Sequence, residues 1–214
     1  LELGEAGAVG GARNDLVSVG GNLTLGGDLQ ATASSAGWYR LFNYGVTDST
    51  ATLAGSFANT AVTGSGGFAS ASHQLSTTPV AGTTPGQVNL AVLGAGQTMQ
   101  LWTGANGGNW DGATSNWVNE APPGAAASWA GSVAIFGDQV ASPGTVAVQG
   151  KQFFDTLQFS ANGYSVAAAS GANAGSLAIA PATGTGARIN TDAGISASIA
   201  APLVDGTGNA LVKV

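Results

Sequence analysis

Short bursts of alternating apolar and polar residues recur along the chain, separated by breaks rich in glycine, serine and asparagine, and they predict strands. The signal is strongest after residue 130. It marks SVAIF (132–136), TVAV (145–148), TLQF (156–159), YSV (164–166), SLAI (176–179), ARI (187–189), SASI (196–199) and ALV (210–212). No window sustains the 3.6-residue apolar repeat of a helix. A longer rhythm runs through these bursts: Leu157 to Leu177 is 20 residues, Leu177 to Ile199 is 22, Val166 to Ile189 is 23 and Ile189 to Leu211 is 22. Two short strands in each period of 20–23 residues predict a solenoid, because one coil cannot bury its apolar face until the next stacks on it.

The expected fold is all-β, a parallel β-helix built as a single-stranded solenoid. Backbone groups would pair between coils about 4.8 Å apart. Each inward Val, Leu or Ile would contribute roughly 1.5–3 kcal/mol. Corners need tight turns, which gives a role to NG (162–163), SG (170–171) and DG (205–206). Earlier in the chain LVSV (16–19), NLTL (22–25), DLQA (28–31), WYRLFNY (38–44) and QVNLAVL (87–93) read as strands, and 57–86 as an irregular or protruding loop. A boundary near Gly96 divides the solenoid into a first module, 1–96, and a second, 97–214, opening on a tryptophan-rich segment.

Composition excludes several classes. Of 214 residues only 7% are charged, against roughly 25% in ordinary domains. With 44% hydrophobic residues and a net charge of −6, the chain is too apolar and too weakly charged to read as disordered. The basic residues Arg13, Arg40, Lys151, Arg188 and Lys213 stand singly, so no cluster is available for nucleic acid, heparin-like polyanions or an anionic membrane. No apolar run reaches the roughly 20 residues of a spanning helix. There is no cysteine, which removes disulfides, thiolate metal sites and thiol nucleophiles. The chain shows no signal peptide and runs from LELGEAG to ALVKV, which reads as a piece of something longer.

The ordered series NDLVSVGGNLTLGGDLQA, GWYRLFNYG, GQVNLAVLG and LWTG resembles the passenger regions of bacterial autotransporters. In the second half NWDG, SNW, GSVAIFGD, TVAV, LQF with NGYSV, SLAI, IAAPLVDG and LVK resemble the autotransporter-associated β-strand repeat. The resemblance implies a right-handed β-helical stalk, exported and displayed from the outer membrane of a Gram-negative cell. It implies membrane attachment only through a C-terminal β-barrel that this chain does not contain. Expected partners are a host surface protein or glycan, or other copies of the chain.

Candidate chemistry is sparse, and no catalytic, metal or cofactor-binding residue is assigned. Trp102, Trp110, Trp117 and Trp129 are spaced 8, 7 and 12 residues apart, which matches neither strand nor helix. They predict an aromatic cap where a module starts. The rival reading makes Trp110, Asp111 and Trp117 a contact surface for a sugar or host protein. A second rival is a polysaccharide-acting β-helix enzyme, since Asn190-Thr191-Asp192 echoes a catalytic-region motif of polygalacturonases. That chemistry needs two carboxyl groups flanking one bond; adjacent paired aspartates are missing and the single histidine, His73, lies over a hundred residues away. Asp192 therefore reads as a turn residue and His73 as ordinary surface. The leading expectation is a non-enzymatic structural and adhesive segment, presenting loops at 57–86 and 103–130.

Overall fold

The computed structural model describes residues 1–6, 8–64, 73–78, 85–120, 124–137, 143–181, 187–205 and 211–213, with backbone alone at 73–78 and 212–213. The fold is all-β, apart from a single 3₁₀ turn at Gly171–Asn173 among these residues. The chain divides into two compact units, Leu1–Ala95 and Gly96–Val214.

The first unit holds β1 (Glu2–Leu3), β2 (Val17–Ser18), β3 (Leu23–Leu25), β4 (Asp28–Ala33), β5 (Gly37–Tyr44), β6 (Leu53–Gly55), β7 (Asn59–Thr63), β8 (His73–Thr78) and β9 (Gly86–Val92). Its strands fall in rotation into three sheets, β1-β4-β7, β2-β5-β9-β8 and β3-β6. Pairing is parallel at offsets near thirty residues, as in Leu23 beside Leu53 and Asp28 beside Asn59. Polar side chains repeat the same step: Asn59 Nδ2 donates to Asp28 Oδ1 at 2.8 Å, and Thr52 N to Asn22 Oδ1 at 2.8 Å. The rotation then stops. β9 lies antiparallel on β5 and β8 antiparallel on β9, so this sheet ends in a hairpin. Leu3, Leu29, Ala31, Tyr39, Leu41, Val62, Leu90 and Val92 form the core. The stretch 57–86, expected to be irregular, carries β7 and β8. In NTAVT, β-branched Thr and Val alternate with small residues, a strand pattern that the surrounding polarity disguises. Both the side chain of His73 and residues 65–72 and 79–84 lie outside the described residues.

The second unit holds β10 (Met99–Trp102), β11 (Asn109–Trp110), β12 (Trp117–Asn119), β13 (Ala125–Ala127), β14 (Val133–Phe136), β15 (Thr145–Val148), β16 (Lys151–Phe154), β17 (Thr156–Phe159), β18 (Ser165–Ala168), β19 (Ser176–Ile179), β20 (Ala187–Thr191), β21 (Ser198–Ile199), β22 (Leu203–Asp205) and β23 (Leu211–Lys213). From β14 onward successive strands go in turn to three parallel ladders, β14-β17-β20-β23, β15-β18-β21 and β16-β19-β22. β10 and β11 begin the first two ladders. An antiparallel hairpin, β12–β13, closes the outer edge of β10.

The expected period is corrected here. Thr156 lies beside Val133 and Arg188 beside Thr156, offsets of 23 and 32 residues, and Leu157 pairs with Ile189 rather than stacking on Leu177. Each round has three strands, not two. The missed ones are β16 (KQFF) and β22 (LVD). Asp155 alone separates β16 from β17, so KQFFDTLQF reads as one apolar burst and its corner is hidden.

Inward positions form a continuous core. Leu157 and Ile189 meet in one column, Val146, Val166 and Ile199 in a second, and Gln152, Leu177 and Leu203 in a third. The third column thins along its length: Leu177 is fully buried, whereas Leu203 is 42% exposed. Leu177→Val is accordingly expected to cost about 1 kcal/mol in a denaturant melt. Leu203→Val is expected to be nearly silent.

Candidate functional site

The tryptophan segment is built by β10, β11, β12 and the loops joining them. Trp102 ends β10, Trp110 ends β11, Trp117 opens β12, and Trp129 follows β13. Four rings from four places in the chain therefore meet at one point, which is why their spacing has no period. Trp117 is the hub. Its ring centroid lies 5.0 Å from Trp102, 5.1 Å from Trp110 and 4.5 Å from Trp129, with the first two contacts edge-on. Edge-on packing sets a positive ring edge against a negative ring face, which adds to the burial of apolar area. Phe136 joins the cluster and stacks on Phe159 at 4.9 Å, carrying the aromatic column into the β14–β17 ladder.

Trp110 and Trp117 are each 0% exposed. The structure thus removes both as ring platforms for a sugar or a partner, because neither face meets solvent. Asp111 borders an open groove of about 340 Å³, lined also by Gly112, Gln149, Gly150, Gln152 and Asn173. Its carboxylate is occupied by its own loop, accepting from Ala113 N at 2.8 Å, Thr114 N at 2.5 Å and Thr114 Oγ1 at 2.9 Å. Burial pushes the Asp111 carboxyl up, but these three bonds outweigh it and hold its pKa below the ordinary value. The stabilisation is thus present above the unfolded pKa and is lost as pH falls through the folded one. Asp111→Ala is expected to cost about 1 kcal/mol at neutral pH and nothing in strong acid, read from paired melts.

The loop before β12 is closed by Asn116, whose carbonyl accepts from Thr103 N at 2.8 Å and whose Nδ2 donates to Asn109 O at 2.8 Å. Gly104 turns this loop at φ +60°, and a Cβ there would sit 3.1 Å from Trp102 Nε1. Sequence reading missed Gln100. This buried side chain gives Nε2 to Asn119 Oδ1 at 2.8 Å and Ser128 O at 3.0 Å, while Oε1 accepts from Ala130 N and Gly131 N. One amide therefore stitches the hairpin and the following loop to β10. Its only signal was a lone polar residue within the apolar run MQLW.

Asp192 is buried, accepts from Gln158 Nε2 at 3.1 Å and opens a turn through Ile195 N. The motif that echoed an enzyme thus performs a corner role. Among the described residues no group of three or more His, Asp or Glu is placed to hold a metal ion.

No protein-family model and no solved structure matches the chain. One curated protein does: the adhesin BmaC autotransporter of Brucella suis biovar 1 (strain 1330), 35% identical over 130 residues. The chain is similar to an autotransporter adhesin. The match takes in 56% of this chain and 3% of that protein, so the chain spans only a small part of its relative's length. No solved structure was needed for the local argument above, since the hairpin, its aromatic hub and its amide stitch are all defined by their own contacts.

Proposed function

We propose that this chain is a segment of a surface-displayed autotransporter passenger, wound as a right-handed parallel β-helical stalk and acting by adhesion rather than catalysis. The observation that carries the reading is the rotation of strands β14 to β23 through three parallel ladders. Coils of this kind lengthen without a change of cross-section, each hydrogen-bonded to its neighbours. The similarity to an adhesin supports the same role.

Such a stalk is stiff, and its partners meet it at corners where the chain leaves the ladders. The sparse charge leaves shape and hydrogen bonding to select them, and a host surface protein, a glycan or another copy of the chain are the expected classes. Attachment to the outer membrane would come from a barrel elsewhere in the full protein.

The test uses the full-length natural protein in its own cell, with an epitope inserted at the 192–197 corner. Intact cells are expected to bind the antibody, and deletion of residues 97–214 to lower adherence to host cells. Labelling only after lysis would overturn surface display, and unchanged adherence with display intact would overturn the adhesive role.

A further inference from the structure

Glu120 follows β12 directly, at the point where the hairpin leaves β10. Its N–H donates to Met99 O at 3.1 Å, beyond the three residue pairs that join β12 to β10. The side chain is 3% exposed, and its Oε1 has no hydrogen-bond partner. A carboxyl group so placed is strongly biased towards its neutral form, because burying the charge without a partner is costly. No other titratable or charged residue occurs on β10, β12, β13 or β14. Acids elsewhere at this end are engaged in their own bonds: Asp111 with Ala113 and Thr114, Asp155 with Gln97 and Thr156. Lys151 lies over the Phe153 ring.

We propose that the β12–β13 hairpin is a pH-gated flap over the tryptophan cluster, held shut when Glu120 is protonated and loosened when it ionises. The hairpin suits such movement. It is antiparallel to a stack that is otherwise parallel, its outer strand β13 is three alanines at a partly exposed edge, and Gln100 is its main side-chain tether. Lifting it would expose Glu120 together with Trp117.

Burial alone pushes the Glu120 pKa from 4.5 up to about 7. The closed form therefore keeps its proton through a window in which the open form has released it. Opening becomes easier as pH rises across that window and levels off above it, where both forms are ionised. The expected change in the opening equilibrium is roughly a hundredfold.

Amide hydrogen exchange of the whole chain tests this, corrected for intrinsic rates, between pH 4.5 and 8. Protection of the β12 amides is expected to fall roughly a hundredfold and then plateau, while β17 and β18 amides stay constant. In Glu120→Gln the β12 profile is expected to be flat. A β12 profile that is flat in the natural sequence, or sloped equally in Glu120→Gln, overturns the proposal. Should the variant not fold, the carboxyl carbon of Glu120 in the natural sequence decides: a titration midpoint near 4.5 overturns it, and one well above that supports it.

Discussion

Trp117→Ala is expected to leave the second unit at the edge of unfolding. The indole is the hub of four rings and is fully buried, so its removal opens a cavity that Trp102, Trp110, Trp129 and Phe136 all line. Truncations of this kind cost about 3–5 kcal/mol, against about 5–15 kcal/mol for a whole domain. Trp117→Phe keeps a ring at the hub and removes an indole N–H that has no hydrogen-bond partner, so its cost is expected to be roughly 1–2 kcal/mol. Urea melts followed by circular dichroism measure both. Equal costs for the two substitutions would mean that the cluster does not hold the unit together.

Gly175→Ala is expected to be as damaging, for a different reason. A Cβ at this position would lie 2.4 Å from Gly150 O and 2.7 Å from Val148 O. Neither oxygen is free to retreat. Val148 O accepts from Gly175 N at 3.0 Å and Ala169 N at 2.8 Å, and Gly150 O accepts from Ser176 N at 2.8 Å. One methyl group must therefore break the bonds that seat β19 beside β16. The cost is expected to be about 4 kcal/mol. Gly175 does not have a positive φ, so backbone strain plays no part in this. Gly171→Ala provides the contrast: its φ is +70° but nothing lies within 4 Å of a Cβ, and about 1 kcal/mol of conformational strain is expected.

The strands with clear alternation were legible in the sequence, and SVAIF, TVAV, TLQF and SLAI stand within a residue of where their bursts place them. Their partners were not. Counting between bursts matched Leu157 with Leu177, because the eye pairs neighbouring apolar runs, whereas the ladders pair every third strand. A one-residue corner at Asp155 and a two-aliphatic strand in LVD left too little contrast to reveal the third member of each round. The burial of Trp110 and Trp117 could be anticipated from size and apolarity, but their convergence could not, since it depends on the antiparallel hairpin returning to β10. Glu120 and Gln100 gave no advance signal. Each is a lone polar residue whose meaning comes entirely from what surrounds it.

The unequal corners have a consequence for how such a chain can change. Asp155 alone turns β16 into β17, while seven residues, 180–186, connect β19 to β20, yet the parallel registers on both sides are kept. Doubling the length of a flexible connection adds only about 0.6 kcal/mol of closure entropy. Mutation can therefore lengthen, shorten or rewrite these bends almost freely, while the aliphatic columns beneath them tolerate little. A lineage carrying this architecture can alter what it shows to its surroundings without rebuilding what holds it upright.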